Sequence, residues 1–94
     1  MGNDTSAVTG VAGGDTSIRV ELVVKRDCHL CEEALQVVGQ VCESLNVGWR
    51  VLHIEADAAL AIEYSEFVPV VLVDGHRHDF LRVDASRLRA ALTS

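Results

Sequence analysis

Hydrophobic and polar residues alternate along residues 18–25, with apolar side chains at every second position. A period of two predicts a β-strand whose two faces differ. Val23 adds an apolar side chain to the polar face, which is typical of a strand covered on both sides. We therefore expect this segment to be a central strand of a sheet.

A helical pattern begins a few residues later. From about His29 to Leu45 the apolar residues recur three or four positions apart, as they do along one side of a helix. We predict Asp27 as the N-cap and residues 46–48, Asn-Val-Gly, as the end of this helix. The apolar stripe comprises Cys31, Ala34, Leu35, Val38, Val41, Cys42 and Leu45.

Shorter elements separated by turn residues fill the rest of the chain. Because a helix joins the first two strands, those strands should be parallel with a right-handed crossover. The Asp74-Gly75 pair is typical of a hairpin turn, so the last two strands should be antiparallel. The pattern predicts an α/β domain in the order β-α-β-α-β-β-α. Its later elements are a strand over Trp49–Ile54, a helix from Ala58 to about Tyr64 capped by Asp57, strands over Val70–Val73 and Arg77–Val83, and a helix to about Leu92 capped by Asp84 or Ser86.

Composition and charge narrow the classes of function. The 94 residues, 49% of them hydrophobic, suffice for one small domain. The formal net charge is −6 and no basic cluster exceeds Lys25-Arg26, which argues against nucleic acid and anionic membranes as partners. No apolar run is long enough to span a bilayer. The first residues do not have the pattern of a signal peptide, so we expect a cytoplasmic protein.

The first 17 residues differ from the rest of the chain. They contain four of the seven glycines, together with small polar residues and no aromatic side chain. Such a segment buries too little surface to offset the entropy lost on ordering. We predict a flexible N-terminal tail over residues 1–17 and a single domain over residues 18–94.

Two cysteines, Cys28 and Cys31, lie where the first predicted strand ends and the predicted helix begins. Backbone N–H groups without partners and the helix dipole stabilise an anion at a helix N-terminus. A thiolate is such an anion, so we expect the pKa of Cys28 to be lowered and its reactivity to be raised. Cys31 lies one helical turn further on, close enough to form a disulfide. The pattern predicts a redox-active pair.

Other interpretations of the cysteines remain open. Cys28 and Cys31 could form half of a zinc site, completed by His76 and His78 across the hairpin. The third cysteine, Cys42, falls on the apolar stripe of the helix. We expect it to be a buried, unreactive thiol.

The only proline of the chain, Pro69, directly precedes an apolar strand. Proline cannot donate a hydrogen bond to a neighbouring strand, so it suits the first position of a strand. We hypothesise that the Val68–Pro69 peptide bond is cis. The N–H and C=O of Val68 would then be free beside the thiols, and a substrate peptide could pair with them as an added strand.

These motifs together resemble one superfamily. Cys28-His29-Leu30-Cys31 after a strand, then Val68-Pro69, then Asp74-Gly75 are similar to the thioredoxin fold in its short, glutaredoxin-like form, over about residues 18–92. Within it, the chain resembles small bacterial glutaredoxin-like proteins with sites of the Cys-His-Leu-Cys type. The resemblance implies a thioredoxin-like α/β fold with a four-stranded mixed sheet in the order 2-1-3-4, flanked by about three helices.

The resemblance also implies roles and partners. Cys28 would be the nucleophile, Cys31 the resolving thiol, Pro69 the cis-proline after Val68, and Lys25 the basic residue near the glutathione carboxylate. The implied function is a thiol–disulfide oxidoreductase that reduces protein or small-molecule disulfides. It would bind no cofactor tightly and use glutathione or another low-molecular-weight thiol as co-substrate, or an unknown reductase. We expect a monomer.

Departures from the glutaredoxin pattern, among them His29-Leu30 in place of the usual Pro-Tyr between the cysteines, leave the electron source open. Phe67 stands where glutaredoxins usually carry threonine, and residues 76–80 read His-Arg-His-Asp-Phe where they carry a Gly-Gly pair. Two rival functions follow from the same resemblance. One is non-catalytic metal or iron–sulfur binding, in which Cys28 and an external thiol would hold a cluster at a dimer interface. The other is a redox-inactive interaction module with a thioredoxin fold.

Overall fold

The computed structural model describes residues 17–93, so the tail predicted for residues 1–17 lies almost entirely outside the described residues. The order of elements agrees with the predicted one. A single turn of 3-10 helix at Ile54–Ala56 follows the second strand, which is an addition to the prediction. The elements are β1 (Ile18–Val24), α1 (His29–Ser44), β2 (Gly48–His53), α2 (Ala58–Tyr64), β3 (Val70–Val73), β4 (His76–Phe80) and α3 (Ala85–Thr93).

The four strands form one mixed sheet in the order β2-β1-β3-β4, as predicted. Strand β1 is parallel to β2 and antiparallel to β3, and Val23 pairs with Leu52 on one side and Val70 on the other. The carboxyl end of β1 therefore lies beside the first residues of β3. This edge of the sheet is where Cys28 follows β1 and where Pro69 precedes β3.

The core lies between the sheet and the helices. Helix α1 contributes Val38 and Cys42, both without exposed surface. Its Gly39 allows close contact with β2, because a Cβ atom at this position would lie 3.3 Å from Cζ2 of Trp49. Leu35, which the periodicity places on the buried stripe, is instead 40% exposed. The core residues of the sheet and α3, with Val68 just before β3, are Val20, Leu22, Val23, Val24, Trp49, Val68, Val70, Val71, Leu72, Leu88 and Leu92.

Both ends of α1 are capped, and the N-terminal cap differs from the prediction. Asp27 is not the N-cap: it has a left-handed backbone with φ of 56°. The cap is Cys28, whose backbone is extended and whose sulfur accepts a hydrogen bond from the Cys31 N–H. At the other end Asn46 adopts φ of 60°, and the Val47 N–H donates to the Cys42 carbonyl at 2.8 Å. This is the arrangement of a Schellman motif.

Strand β4 is shorter than predicted. The pattern indicated a strand to Val83, but β4 ends at Phe80. The next residue, Leu81, has a left-handed φ of 65°, and its N–H donates to the carbonyls of Phe67 and Pro69. This conformation turns the chain away from the sheet, and leucine seldom adopts it.

Helix α3 is joined to β4 through a buried carboxylate. Asp84, one of the two predicted caps, accepts the Arg87 N–H at 2.9 Å. Asp79 is 7% exposed and forms an ion pair of 2.6 Å with the Arg87 guanidinium. Within residues 17–93, no helix is both long enough and apolar enough to cross a membrane.

Candidate redox site

The candidate site begins at the first turn of α1. Cys28 and Cys31 form a disulfide, with their Cα atoms 5.1 Å apart. The Cys31 N–H points at the Cys28 sulfur, at an N···S distance of 3.1 Å. The Glu32 N–H donates to the Cys28 carbonyl at 3.1 Å. Cys28 therefore occupies the position at which a helix N-terminus stabilises negative charge.

The two cysteines differ in exposure. Cys31 is 3% exposed and belongs to the core, whereas Cys28 is only partly buried. An external disulfide can therefore approach the Cys28 sulfur more readily than the Cys31 sulfur. His29, between them in sequence, is exposed and lies 3.1 Å from the Glu33 carboxylate.

A hydrogen bond from outside α1 holds the turn before Cys28. The Arg26 N–H donates to the Glu55 carboxylate at 2.6 Å. This bond, together with the hydrogen bond of Glu55 to its own backbone N–H, lowers the pKa of Glu55. Glu55 lies in the 3-10 turn after β2, so it ties β2 to the loop that presents Cys28. Asp27 completes the loop in its left-handed conformation, which aspartate tolerates better than most residues.

A groove lies beside the disulfide at the outer strand β2. Its volume is about 410 Å³, and we call it the β2-side groove. Lys25, predicted near the carboxylate of a thiol ligand, lies in this groove with both cysteines. Trp49 and the half-exposed Leu35 also line it.

Val68 and Pro69 lie on the other side of the disulfide, at the start of β3. The Val68–Pro69 peptide bond is cis, and both residues are buried. The Val68 N–H is not free, because it donates to the Tyr64 carbonyl at 3.1 Å at the end of α2. The expectation that both backbone groups of Val68 are available to a substrate strand is therefore wrong for the N–H group.

Three exposed apolar side chains surround this start of β3. The rings of Phe67 and Phe80 meet edge to face, with centroids 5.8 Å apart. Leu81 is adjacent, and the three side chains are 38%, 45% and 41% exposed. We call them the apolar lip. The sequence pattern marked Phe67 as unusual but did not place it against Phe80 and Leu81, because their contact depends on the turn after β4.

A second cavity borders the lip at Leu81 and the cysteine motif at Leu30. It has a volume of about 330 Å³ and lies between α1 and the segment joining β4 to α3. Leu30, between the two cysteines in sequence, lines one side, and Leu81 and Arg82 line the other. We call it the α3-side cavity.

The remaining candidate ligands do not gather around the cysteines. Among residues 17–93, no three His, Cys, Asp or Glu side chains are placed to hold a metal ion together. His76 and His78, the partners of the zinc alternative, lie on strand β4. Cys42 is fully buried. Its burial, and to a smaller extent the charge of Glu43, raise the pKa of its thiol to about 11.

The fold agrees with comparisons to known proteins. Residues 19–93 match the family model of the glutaredoxin-like domain (DUF836), and the chain belongs to this family. Uncharacterized proteins of Mycobacterium tuberculosis and Mycobacterium bovis are each 35% identical to it over 80 residues, covering 77% of this chain and 79% of theirs.

Solved structures show the same architecture. A structural-genomics target protein from X. campestris, solved by X-ray diffraction, is 34% identical, with a TM-score of 0.64 over 78% of this chain and 93% of that one. A mutant thioredoxin from Halobacterium salinarum, 22% identical, aligns with a TM-score of 0.53 over 79% of this chain and 72% of its own. The protein is thus a glutaredoxin-like protein with the thioredoxin fold, and its disulfide-bonded Cys28 and Cys31 support a redox function.

Proposed function

We propose that this protein is a thiol–disulfide oxidoreductase in which Cys28 is the nucleophile and Cys31 the resolving thiol. The observation that carries the proposal is the position of the Cys28 sulfur at the N-cap of α1, 3.1 Å from the Cys31 N–H. A backbone N–H directed at sulfur stabilises a thiolate more than a thiol. The partial exposure of Cys28 gives a substrate disulfide access to that sulfur.

The first step forms a mixed disulfide. The Cys28 thiolate attacks one sulfur of the substrate disulfide, a new S–S bond forms, and the other substrate sulfur leaves as a thiolate that takes up a proton. Thiolate character at Cys28 speeds this step at neutral pH. Lys25, exposed in the β2-side groove beside Cys28, is suited to attract a negatively charged substrate.

The second step releases the product. Cys31 loses its proton and attacks the Cys28 sulfur, which forms the Cys28–Cys31 disulfide and frees the second substrate sulfur as a thiol. In the formed disulfide the Cα atoms are 5.1 Å apart, within the usual range for such bonds. Two electrons pass from the protein to the substrate. A low-molecular-weight thiol such as glutathione, or a thiol reductase, then returns them in a reducing compartment such as the cytoplasm.

Trapping the mixed disulfide tests this assignment. In the Cys31→Ser variant the first step can proceed but the second cannot, so the pre-reduced protein should gain the mass of one substrate half on Cys28. Cys28→Ser should react at the background rate, because the resolving thiol is 3% exposed. Both products are measured by mass spectrometry after acid quenching. Cys42→Ala is the matched control and should behave like the unaltered protein.

The outcomes separate the proposal from its rivals. An adduct on Cys31 in the Cys28→Ser variant, formed as fast as the adduct on Cys28, would reverse the assigned roles. Purification with stoichiometric zinc or iron, and thiols protected from alkylation until the metal is removed, would favour the metal-binding alternative. Absence of an adduct in the Cys31→Ser variant, together with no oxidation of the Cys28–Cys31 pair in the unaltered protein, would favour the redox-inactive module.

A further inference from the structure

The apolar lip of Phe67, Phe80 and Leu81 is an exposed apolar surface next to the cysteine pair. The register of the sheet aligns Val23, Val70 and Phe80 across three strands, so the lip lies at the edge from which Cys28 emerges. The α3-side cavity extends this surface, since Leu81 of the lip and Leu30 of the cysteine motif both line it. A chain attached to a sulfur at Cys28 would therefore have this surface within reach.

Leu81 is held in this position against its backbone preference. Its φ of 65° is strained for a residue with a branched side chain, and glycine would adopt it freely. Two hydrogen bonds from its N–H, to the carbonyls of Phe67 and Pro69, maintain the conformation. The consequence is that a leucine side chain, rather than a bare backbone, borders the site. Strain at such a position points to a function for the side chain.

The charges around the α3-side cavity leave one group without a partner. Arg82 lines the cavity, and its guanidinium forms no ion pair or side-chain hydrogen bond with any residue from 17 to 93. Its guanidinium is therefore free to pair with a carboxylate of a bound ligand. The other charged groups lining the cavity have hydrogen-bond or ion-pair partners: Glu33 lies 3.1 Å from His29, Asp84 accepts the Arg87 N–H, and Arg87 pairs with Asp79.

We propose that the apolar lip and Arg82 select polypeptide disulfides whose cysteine is flanked by an apolar residue followed by an acidic one. This inference rests on the proposed function and names its substrate class. The apolar side chain packs on Phe67, Phe80 and Leu81, and the carboxylate reaches Arg82. Glutathione carries carboxylates but no apolar side chain, so it gains nothing from the lip.

Single-turnover rates test the selection. The pre-reduced protein is mixed with one of four disulfides. Two are matched peptides with an intrachain disulfide, one with Leu-Glu and the other with Ser-Gln next to one of its cysteines. The other two are glutathione disulfide and bis(2-hydroxyethyl) disulfide. Oxidation of the Cys28–Cys31 pair is followed by quenched alkylation and mass. We expect the Leu-Glu peptide to react about tenfold faster than the Ser-Gln peptide, because the second peptide lacks both the apolar contact with the lip and the charge that pairs with Arg82.

Variants then locate the effect. Phe67→Ser and Leu81→Gly should remove most of this tenfold preference and leave the rate with bis(2-hydroxyethyl) disulfide unchanged. Leu81→Gly does not endanger folding, since glycine adopts φ of 65° without strain. Arg82→Gln should slow only the peptide with glutamate. Ile62→Ser is the control, because Ile62 on α2 is 86% exposed and lies outside the lip.

Three results would contradict the inference: equal rates for the two peptides, a faster reaction with glutathione disulfide than with the Leu-Glu peptide, or lip variants that slow the small disulfide equally. The proposed function would survive all three. If the unaltered protein reacts with none of the four disulfides, the proposed function itself fails. The two failures are therefore distinguishable in one set of rates.

Discussion

The two ends of helix α1 place the same residue type in opposite surroundings. At the N-terminus Cys28 is partly exposed, and its sulfur accepts a backbone hydrogen bond. Near the C-terminus Cys42 is fully buried among apolar side chains, and burial with the charge of Glu43 raises its pKa to about 11. Position on the helix, rather than residue type, thus separates a candidate nucleophile from an inert core residue.

Alkylation kinetics are the strongest test of the difference in reactivity between Cys28 and Cys42. With the disulfide reduced, iodoacetamide at pH 7 should label Cys28 at least about a thousandfold faster than Cys42, since a thiol of pKa about 11 is ionised to about one part in ten thousand at this pH. Burial slows Cys42 further. Rates are read from the masses of proteolytic fragments, and in denaturant all three cysteines should react alike. Labelling of Cys42 or Cys31 before Cys28 would contradict the assignment.

The pH dependence of stability tests the other half of the comparison, the raised pKa of the buried Cys42 thiol. The pKa of the Cys42 thiol rises on folding from 9.0 to about 11, so its protonated form is favoured in the folded state. Its contribution to stability is complete below pH 9 and is lost as the pH rises toward 11. The expected loss is about 2 to 3 kcal/mol in the free energy of unfolding.

Comparison with Cys42→Ala isolates this effect. The variant loses the sulfur and should be about 1 to 2 kcal/mol less stable than the unaltered protein at pH 8. The difference should shrink or reverse by pH 11, because only the unaltered protein carries the titrating thiol. Urea unfolding with the Cys28–Cys31 disulfide intact measures both free energies. A difference that is constant between pH 8 and pH 11 would show that burial does not perturb this thiol.

Much of the fold was predictable because its determinants are local. The alternation along β1 and the helical period of α1 appear as continuous patterns, and Asp74-Gly75 specifies a turn that the structure forms with positive φ at both residues. The cysteine pair was recognisable from its position between strand and helix. These features depend on residues close together in sequence.

The wrong predictions concern positions whose conformation depends on contacts with residues distant in sequence. Asp27 is a common capping residue, yet the sulfur of Cys28 takes that role once the preceding loop is tied to Glu55. Leu35 follows the apolar period, but it faces the β2-side groove at the edge of the sheet and remains 40% exposed. The conformation of Leu81 depends on the carbonyls of Phe67 and Pro69, which no local pattern indicates.

The most direct test of the redox assignment is the equilibrium of the Cys28–Cys31 pair in defined glutathione buffers, read by mass after alkylation. We expect a reduction potential between about −180 and −270 mV, the range of working thiol–disulfide oxidoreductases. Cys42→Ala should give the same value, since Cys42 is buried away from the pair. A pair that stays reduced in every buffer, or one that is purified with zinc or iron bound, would contradict the account.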